Sequence, residues 1–149
     1  MKTILAPVDF SEITSAVVAN AVALGRAVGG RVVVVHVVPP AIMPADNTSV
    51  VVDLSRMQAV EAAGAAQQLA RIKAEHRDGG VEVETAEVGG MPTVEILAQA
   101  KALGADYIVM GSHGHGAVYD LLIGGTTHAI LKRARCPVVV VPSPRRVAP

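Results

Sequence analysis

Ala105-Asp106-Tyr107-Ile108-Val109-Met110-Gly111-Ser112-His113-Gly114, followed after nine residues by Gly124-Gly125-Thr126-Thr127-His128-Ala129-Ile130-Leu131, is a strand, a glycine loop and a helix in succession. The run from Ala105 to Met110 has the length and apolar density of a strand buried on both faces, and the segment from His128 continues a helix that Thr126 or Thr127 would cap. Glycine tolerates positive φ and has no Cβ, so backbone amides in such a loop can converge on an anion, to which the first turn of the helix adds unpaired N–H groups. A mere tight turn is the competing reading. Two glycine clusters bracketing one loop favour phosphate.

The rest of the chain repeats this alternation. Strands are expected over Thr3 to Val8, Arg31 to Val38, Val81 to Val88, Ala105 to Met110 and Pro137 to Val141, with four helices between them. Val17, Ala21, Leu24 and Val28 lay one apolar stripe along the first helix, which Gly29-Gly30 ends; Leu54, Met57, Leu69 and Ile72 do the same in the second. Pro39 to Asp53, with three prolines and no clear period, reads as a long polar loop, mobile or acting as a lid. The third strand alternates as Val81-Glu82-Val83-Glu84-Thr85 and belongs at a sheet edge, whereas the first, second and fourth are apolar throughout. The expectation is one α/β domain over residues 1–149: a doubly wound, five-stranded parallel sheet in the order 3-2-1-4-5, Rossmann-like or flavodoxin-like, with helices on both faces.

Composition narrows the function classes. The 149 residues suit one domain, and with 51% of them apolar and only two Tyr and one Phe, its core is built from Val, Ala, Leu and Ile. Thirteen basic residues balance thirteen acidic ones, so there is no global field to attract nucleic acid or an anionic membrane. Lys132, Arg133, Arg135, Arg145 and Arg146 form a solvated helix end and tail, with no aromatic stacking platforms among them. A single cysteine, Cys136, excludes an internal disulfide; no secretory pattern opens the chain and no apolar run has membrane-spanning length, so the cytoplasm is the expected compartment.

The spacing Gly-x2-Gly-x9-Gly, with hydroxyl residues next, resembles the nucleotide-binding type of the universal stress protein family. The likeness extends to Ile4-Leu5-Ala6-Pro7-Val8-Asp9-Phe10-Ser11, which is similar to that family's first strand and turn, to Val33-Val34-Val35-His36-Val37, similar to its second strand, and to Cys136-Pro137-Val138-Val139-Val140-Val141, similar to its last. The resemblance implies that Asp9 accepts hydrogen bonds from ribose or adenine, that Pro7, Val37 and Met110 wall the base, and that Gly111, Gly114, Gly124, Gly125, Thr126 and Thr127 cradle phosphates. It also implies a homodimer formed along the last strand, Val138 to Val141, whose uncharged edge otherwise needs cover. The position after Gly124 is usually Ser or Thr in that family and is Gly125 here, which leaves the preference among ATP, ADP and AMP open.

Each residue has a second reading. Asp9 precedes Ser11 by two and Glu12 by three, as a cap of the first helix would. His36, between valines at a strand end, reads as a hydrogen-bonded core or rim histidine. His113, His115 and His128 match no established zinc spacing, so no metal site is assigned; Mg²⁺ held chiefly through a nucleotide's phosphates fits better. There is no P-loop lysine and no Gly-x-Ser-x-Gly elbow, and Cys136 before a proline reads as a small hydrophobe. The expected function is therefore that of an ATP- or AMP-binding stress-response regulator without catalytic residues; a slow ATPase, with Asp9, His113 or Asp120 as proton acceptor, and a nucleotide-free dimeric scaffold are the alternatives.

Overall fold

A computed structural model of the chain describes residues 1–40, 48–114 and 123–143. Its elements run β1 (Lys2–Val8), α1 (Thr14–Val28), β2 (Gly30–Val38), α2 (Thr48–Glu75), β3 (Val83–Gly89), α3 (Pro92–Ala102), β4 (Tyr107–Gly111), α4 (Gly125–Arg133) and β5 (Val138–Val141). All the strand pairings are parallel, in the order β3-β2-β1-β4-β5 expected from the sequence.

Alternation along the central strands divides the core into two layers. Ile4, Ala6, Val32, Val34 and Val109 face Val17, Val18 and Ala21 of α1 and Leu69 of α2. Leu5, Val33, Val35, Ile108 and Met110 face the other way, onto Ile96 of α3 and Ile130 of α4. Ile4, Leu5, Ala6, Val34 and Val35 are wholly buried, as strands covered by helices on both sides require. Gly29, in the left-handed conformation at φ 64°, ends α1 with its amide donating to Gly25 O. At the edge, Glu84 of β3 pairs with Arg31 Nη1 at 2.9 Å.

Two local expectations are corrected. Thr48 to Asp53, read from sequence as loop, are the opening turns of α2, while 41–47 lie outside the described residues. The β-branched run there has low helix propensity, which hid the helix start. The apolar stripe of α2 is also only partly buried: Leu69 and Ile72 pack on the sheet, whereas Met57 is 60% exposed and Val60 73%. Twenty-eight residues span about 42 Å as helix, against about 23 Å for a seven-residue strand, so α2 outruns the layer it covers. Among the described residues no helix is long and apolar enough to cross a membrane.

At the end of the sheet away from the cavity described below, Asp106 ties β1 to the segment entering β4. Its carboxylate accepts hydrogen bonds from Lys2 Nζ and from the Thr3 amide, both at 2.8 Å. The Lys2 bond first, and then the Thr3 amide, hold the Asp106 carboxyl below its ordinary value of 3.8. A group depressed on folding stabilises the fold above its unfolded pKa, and that contribution disappears as pH falls through the folded value. Asp106→Asn, which keeps an acceptor but no charge, is therefore expected to lower the melting temperature at pH 7 and to flatten its decline on acidification below about pH 4. Melting curves at a series of pH values check this, and parallel declines for parent and variant would contradict it.

Candidate functional site

The chain leaves β1 toward α1 on one face of the sheet and leaves β4 toward α4 on the other, so their carboxyl ends border a crevice. A cavity of about 520 Å³ occupies it. Pro7, Asp9, Val37, Met110, Gly111, Gly114, Gly124, Gly125, Thr126 and Thr127, the residues singled out in the sequence, all line this cavity.

Its two ends differ in chemistry. One is an apolar wall of Pro7, Val35, Val37 and Met110, closed by Pro92 and Ile96 at the start of α3. The other is bare backbone. Gly111 lies against Ile13, where an added Cβ would come within 2.9 Å of Ile13 Cγ2 and 3.1 Å of His113 O. Gly114 lies against the Asp9 carboxylate, leaving no room for a side chain. The Gly124 amide donates to Ser112 O at 2.7 Å. None of these glycines, nor Gly125, has positive φ. The loop therefore needs glycine for close approach, not for the left-handed dihedral anticipated from the sequence.

Gly124 is the N-cap of α4, in extended conformation and without a side-chain cap. The capping role read for Thr126 or Thr127 is thus corrected: both sit inside the first turn, because the helix starts two residues earlier than the first hydroxyl suggests. The first intrahelical bond is His128 N to Gly124 O, so the amides of Gly125, Thr126 and Thr127 precede it as the turn's unpaired donors. Thr127, 3% exposed, donates its hydroxyl proton to Gly111 O at 2.7 Å and fastens α4 to the end of β4. That proton is not available to a ligand while the bond stands.

Asp9 does not cap α1. The N-cap there is Ile13, again without a side-chain bond, and Asp9 Oδ1 instead accepts the Ser11 amide at 3.0 Å in a local turn. Between them Phe10 sits at φ 60°, a conformation that costs a bulky residue on the order of 1–3 kcal/mol and persists only where its surroundings impose it. Its ring packs beside His36, with the two ring centroids 4.4 Å apart and tilted by 36°. The imidazole Nδ1 is 2.9 Å from Val8 O, so His36 is the hydrogen-bonded rim histidine expected, and it too lines the cavity.

On the far side of the loop the Ser143 amide donates to Ser112 Oγ at 3.0 Å, with His113 Nδ1 3.2 Å from the same oxygen, so the glycine loop is anchored to the chain leaving β5. His115 and Asp120 lie outside the described residues. Among those described, no cluster of three or more His, Cys, Asp or Glu side chains is arranged to hold a metal ion. Cys136 packs beside the α3–α4 core layer, and burial, with a smaller push from Asp106, raises its thiol pKa away from nucleophilic reactivity. His36, Ile13, Thr14, Pro92 and Ile96 line the cavity but were not assigned to it from the sequence, since only strand order and register bring them there.

The sequence matches the universal stress protein family over residues 1–142. The chain belongs to that family. Universal stress protein MJ0577 of Methanocaldococcus jannaschii is 30% identical over 152 aligned residues, covering 94% of each chain; its solved structure superposes with a TM-score of 0.81 over 97% of each. The universal stress protein UspA from Lactobacillus plantarum gives a TM-score of 0.84 at 25% identity, covering 94% of this chain and 97% of that one. A universal stress protein from Archaeoglobus fulgidus, solved in complex with dAMP, gives 0.65 at 21% identity over 94% of this chain and 97% of its own. At that identity the last likeness is one of fold.

The loop glycines of this universal stress protein are not equivalent. An added Cβ at Gly125 meets nothing within 4 Å, so Gly125→Ala is expected to leave stability unchanged or to raise it by about 0.5–1 kcal/mol. Gly114→Ala sets a methyl group against Asp9 Oδ2 and must shift the carboxylate whose other oxygen holds the Ser11 amide, and it is expected to cost up to about 1.5–3 kcal/mol, the range for a hydrogen bond to a charged group. Urea denaturation of the two variants checks the contrast, and equal midpoints would contradict it.

Proposed function

We propose that this universal stress protein binds an adenine nucleotide, AMP or ATP, in the cavity between β1 and β4 and acts as a homodimeric regulator without fast catalysis. The observation that carries the reading is the division of one cavity into an apolar wall at one end and glycine backbone with first-turn α4 amides at the other. A base is a flat apolar surface with polar edges, and a phosphate is an anion; each end suits one of them. Pro7, Val37 and Met110 would flank the base, and Asp9 would accept from the nucleoside. Gly111, Gly114, Gly125 and Thr126 would supply phosphate donors, with Thr127 contributing its amide and Gly124, whose amide is taken by Ser112 O, allowing close approach. The dAMP complex of the Archaeoglobus fulgidus protein supports the reading at the level of the fold, which there accommodates an adenine nucleotide.

Position 125 has no hydroxyl and the Thr127 proton goes to Gly111 O, so the turn offers few donors beyond its amides. That economy favours one phosphate over three, with Mg²⁺ entering through the phosphates when ATP is bound. Chromatography of small molecules released by denaturing the purified protein identifies the resident nucleotide. With AMP added at about 100 times its Kd, the melting temperature is expected to rise by roughly 5–10 °C, corresponding to about 2.7 kcal/mol. Gly114→Ala, which displaces Asp9, is expected to lose most of that rise. No released nucleotide and no rise with AMP or ATP would overturn the reading in favour of a scaffold.

The dimer is proposed along β5. Val138 to Val141 form an outer strand without a charged side chain, and Val139 is 39% exposed. An edge of that kind invites pairing with another chain. Sedimentation at micromolar concentration is expected to give a dimer for the parent and a monomer for Val139→Lys; a monomeric parent would contradict the proposal.

A further inference from the structure

Four hydrogen bonds converge on Gly111 and Ser112, two from α4 and two from the β5 side. From α4, Thr127 donates its hydroxyl proton to Gly111 O and the Gly124 amide donates to Ser112 O, both at 2.7 Å. Toward β5, the Ser112 amide donates to Val141 O at 2.8 Å, and the Ser143 amide donates to Ser112 Oγ at 3.0 Å. One peptide group therefore serves both elements: its carbonyl, on Gly111, holds α4, and its N–H, on Ser112, holds β5. Ser112 is 6% exposed and does not line the cavity. Moving α4 or β5 away from it leaves buried polar groups unpaired, which is costly. The first turn of α4 and the end of β5 are thus held in one arrangement by a residue that touches no ligand.

Both ends of that connection face a proposed binding event. β5 is the outer strand and pairs only with β4. Ile108 N donates to Pro137 O and Ser112 N to Val141 O, so by the alternation of a strand Val138 and Val140 turn their peptide groups away from β4. The next outward position is Pro142, which has no N–H to offer. A second copy docking on this edge therefore depends on a short strand whose far end is fastened by Ser112. On the other side, the amides of Gly125, Thr126 and Thr127 are the donors proposed for phosphate. A ligand that fixes this turn also fixes the end of β5. The conformational entropy of ordering the shared junction is then lost once, in whichever event comes first.

We propose that nucleotide binding at the first turn of α4 and docking of a second copy on β5 are positively coupled, with Ser112 as the positioning residue between them. The inference rests on the nucleotide and dimer readings above and adds to them a regulation: a filled site strengthens the dimer, and the dimer strengthens binding.

Fluorescence-detected sedimentation of a dilution series, with and without saturating AMP, tests it. By linkage, each bound AMP strengthens the dimer by the factor by which the dimer strengthens AMP binding. At about fivefold per site, the dimer Kd of the parent is expected to fall about 25-fold with both sites filled. Calorimetry is expected to give an AMP Kd about fivefold lower for the dimeric parent than for Val139→Lys, the expected monomer. Ser112→Ala keeps the backbone bonds but releases Ser143; it is expected to bind AMP and to dimerise with most of the AMP-driven fall in dimer Kd lost. Ser112→Thr, which keeps the hydroxyl, is expected to retain that fall. An AMP-bound parent whose dimer Kd is unchanged overturns the inference and leaves nucleotide binding and dimer formation intact. A full fall in Ser112→Ala overturns the role given to Ser112. A parent that binds no AMP, or that stays monomeric, overturns the corresponding reading above and the inference with it.

Discussion

Burial of β1 on both faces is the constraint on which the rest of the molecule depends. Ile4, Leu5 and Ala6 have no exposed surface, so every peptide group in that stretch must find its partner within the sheet, and β2 and β4 supply them from either side. With β2 on one side of β1 and β5 on the far side of β4, right-handed crossovers take the connection into α1 and the connection into α4 onto opposite faces. The gap between them at the carboxyl ends of the strands is a consequence of sheet order, not of any residue that lines it. Backbone that emerges from a fully paired strand into such a gap brings its next peptide groups with it, and glycine at 111 and 114 lets Ile13 and Asp9 lie directly against them.

The site is held together by short bonds between elements. Thr127 joins α4 to β4 through Gly111 O, Ser112 joins the loop to the chain after β5, and Asp9 is pinned by the Ser11 amide against Gly114. These are side-chain to backbone bonds, in which a polar group that would be costly to bury unpaired fixes the position of a neighbouring strand end. Phe10 runs against this economy. Its positive φ is unfavourable for an aromatic residue, and its ring packs on His36 and against the core layer under α1. Preorganisation of that kind leaves less for a ligand to order on binding.

Much of this was legible in the sequence, for identifiable reasons. A continuously apolar run of strand length has one stable location in an α/β domain, so the central strands and the charged edge strand at Val81 to Thr85 could be ordered without coordinates. The glycine spacing located the cavity because it marks where backbone must be bare. What escaped were features set by tertiary context. Gly124 as an N-cap carries no side-chain signal, so Thr126 and Thr127 drew the helix start toward themselves. Thr48 to Val52 reads locally as anything but helix. Met57 follows the helical period yet has no sheet beneath it. His36 and Pro92 reach the cavity through register and strand order, which no local pattern encodes.

In the proposed complex the glycine backbone after β4 and the first turn of α4 receive a phosphate while Pro7, Val37 and Met110 flank the attached base. Amide chemical shifts followed while AMP is titrated into ¹⁵N-labelled protein test it most directly. Saturable shifts are expected, concentrated at Gly111, Gly114, Gly124, Gly125 and Thr126, with a second group at Val37 and Met110 and none at the Asp106 end of the sheet. Shifts at the glycines that inorganic phosphate reproduces in full, with Val37 and Met110 unmoved, would contradict it, as would a titration in which none of these amides responds.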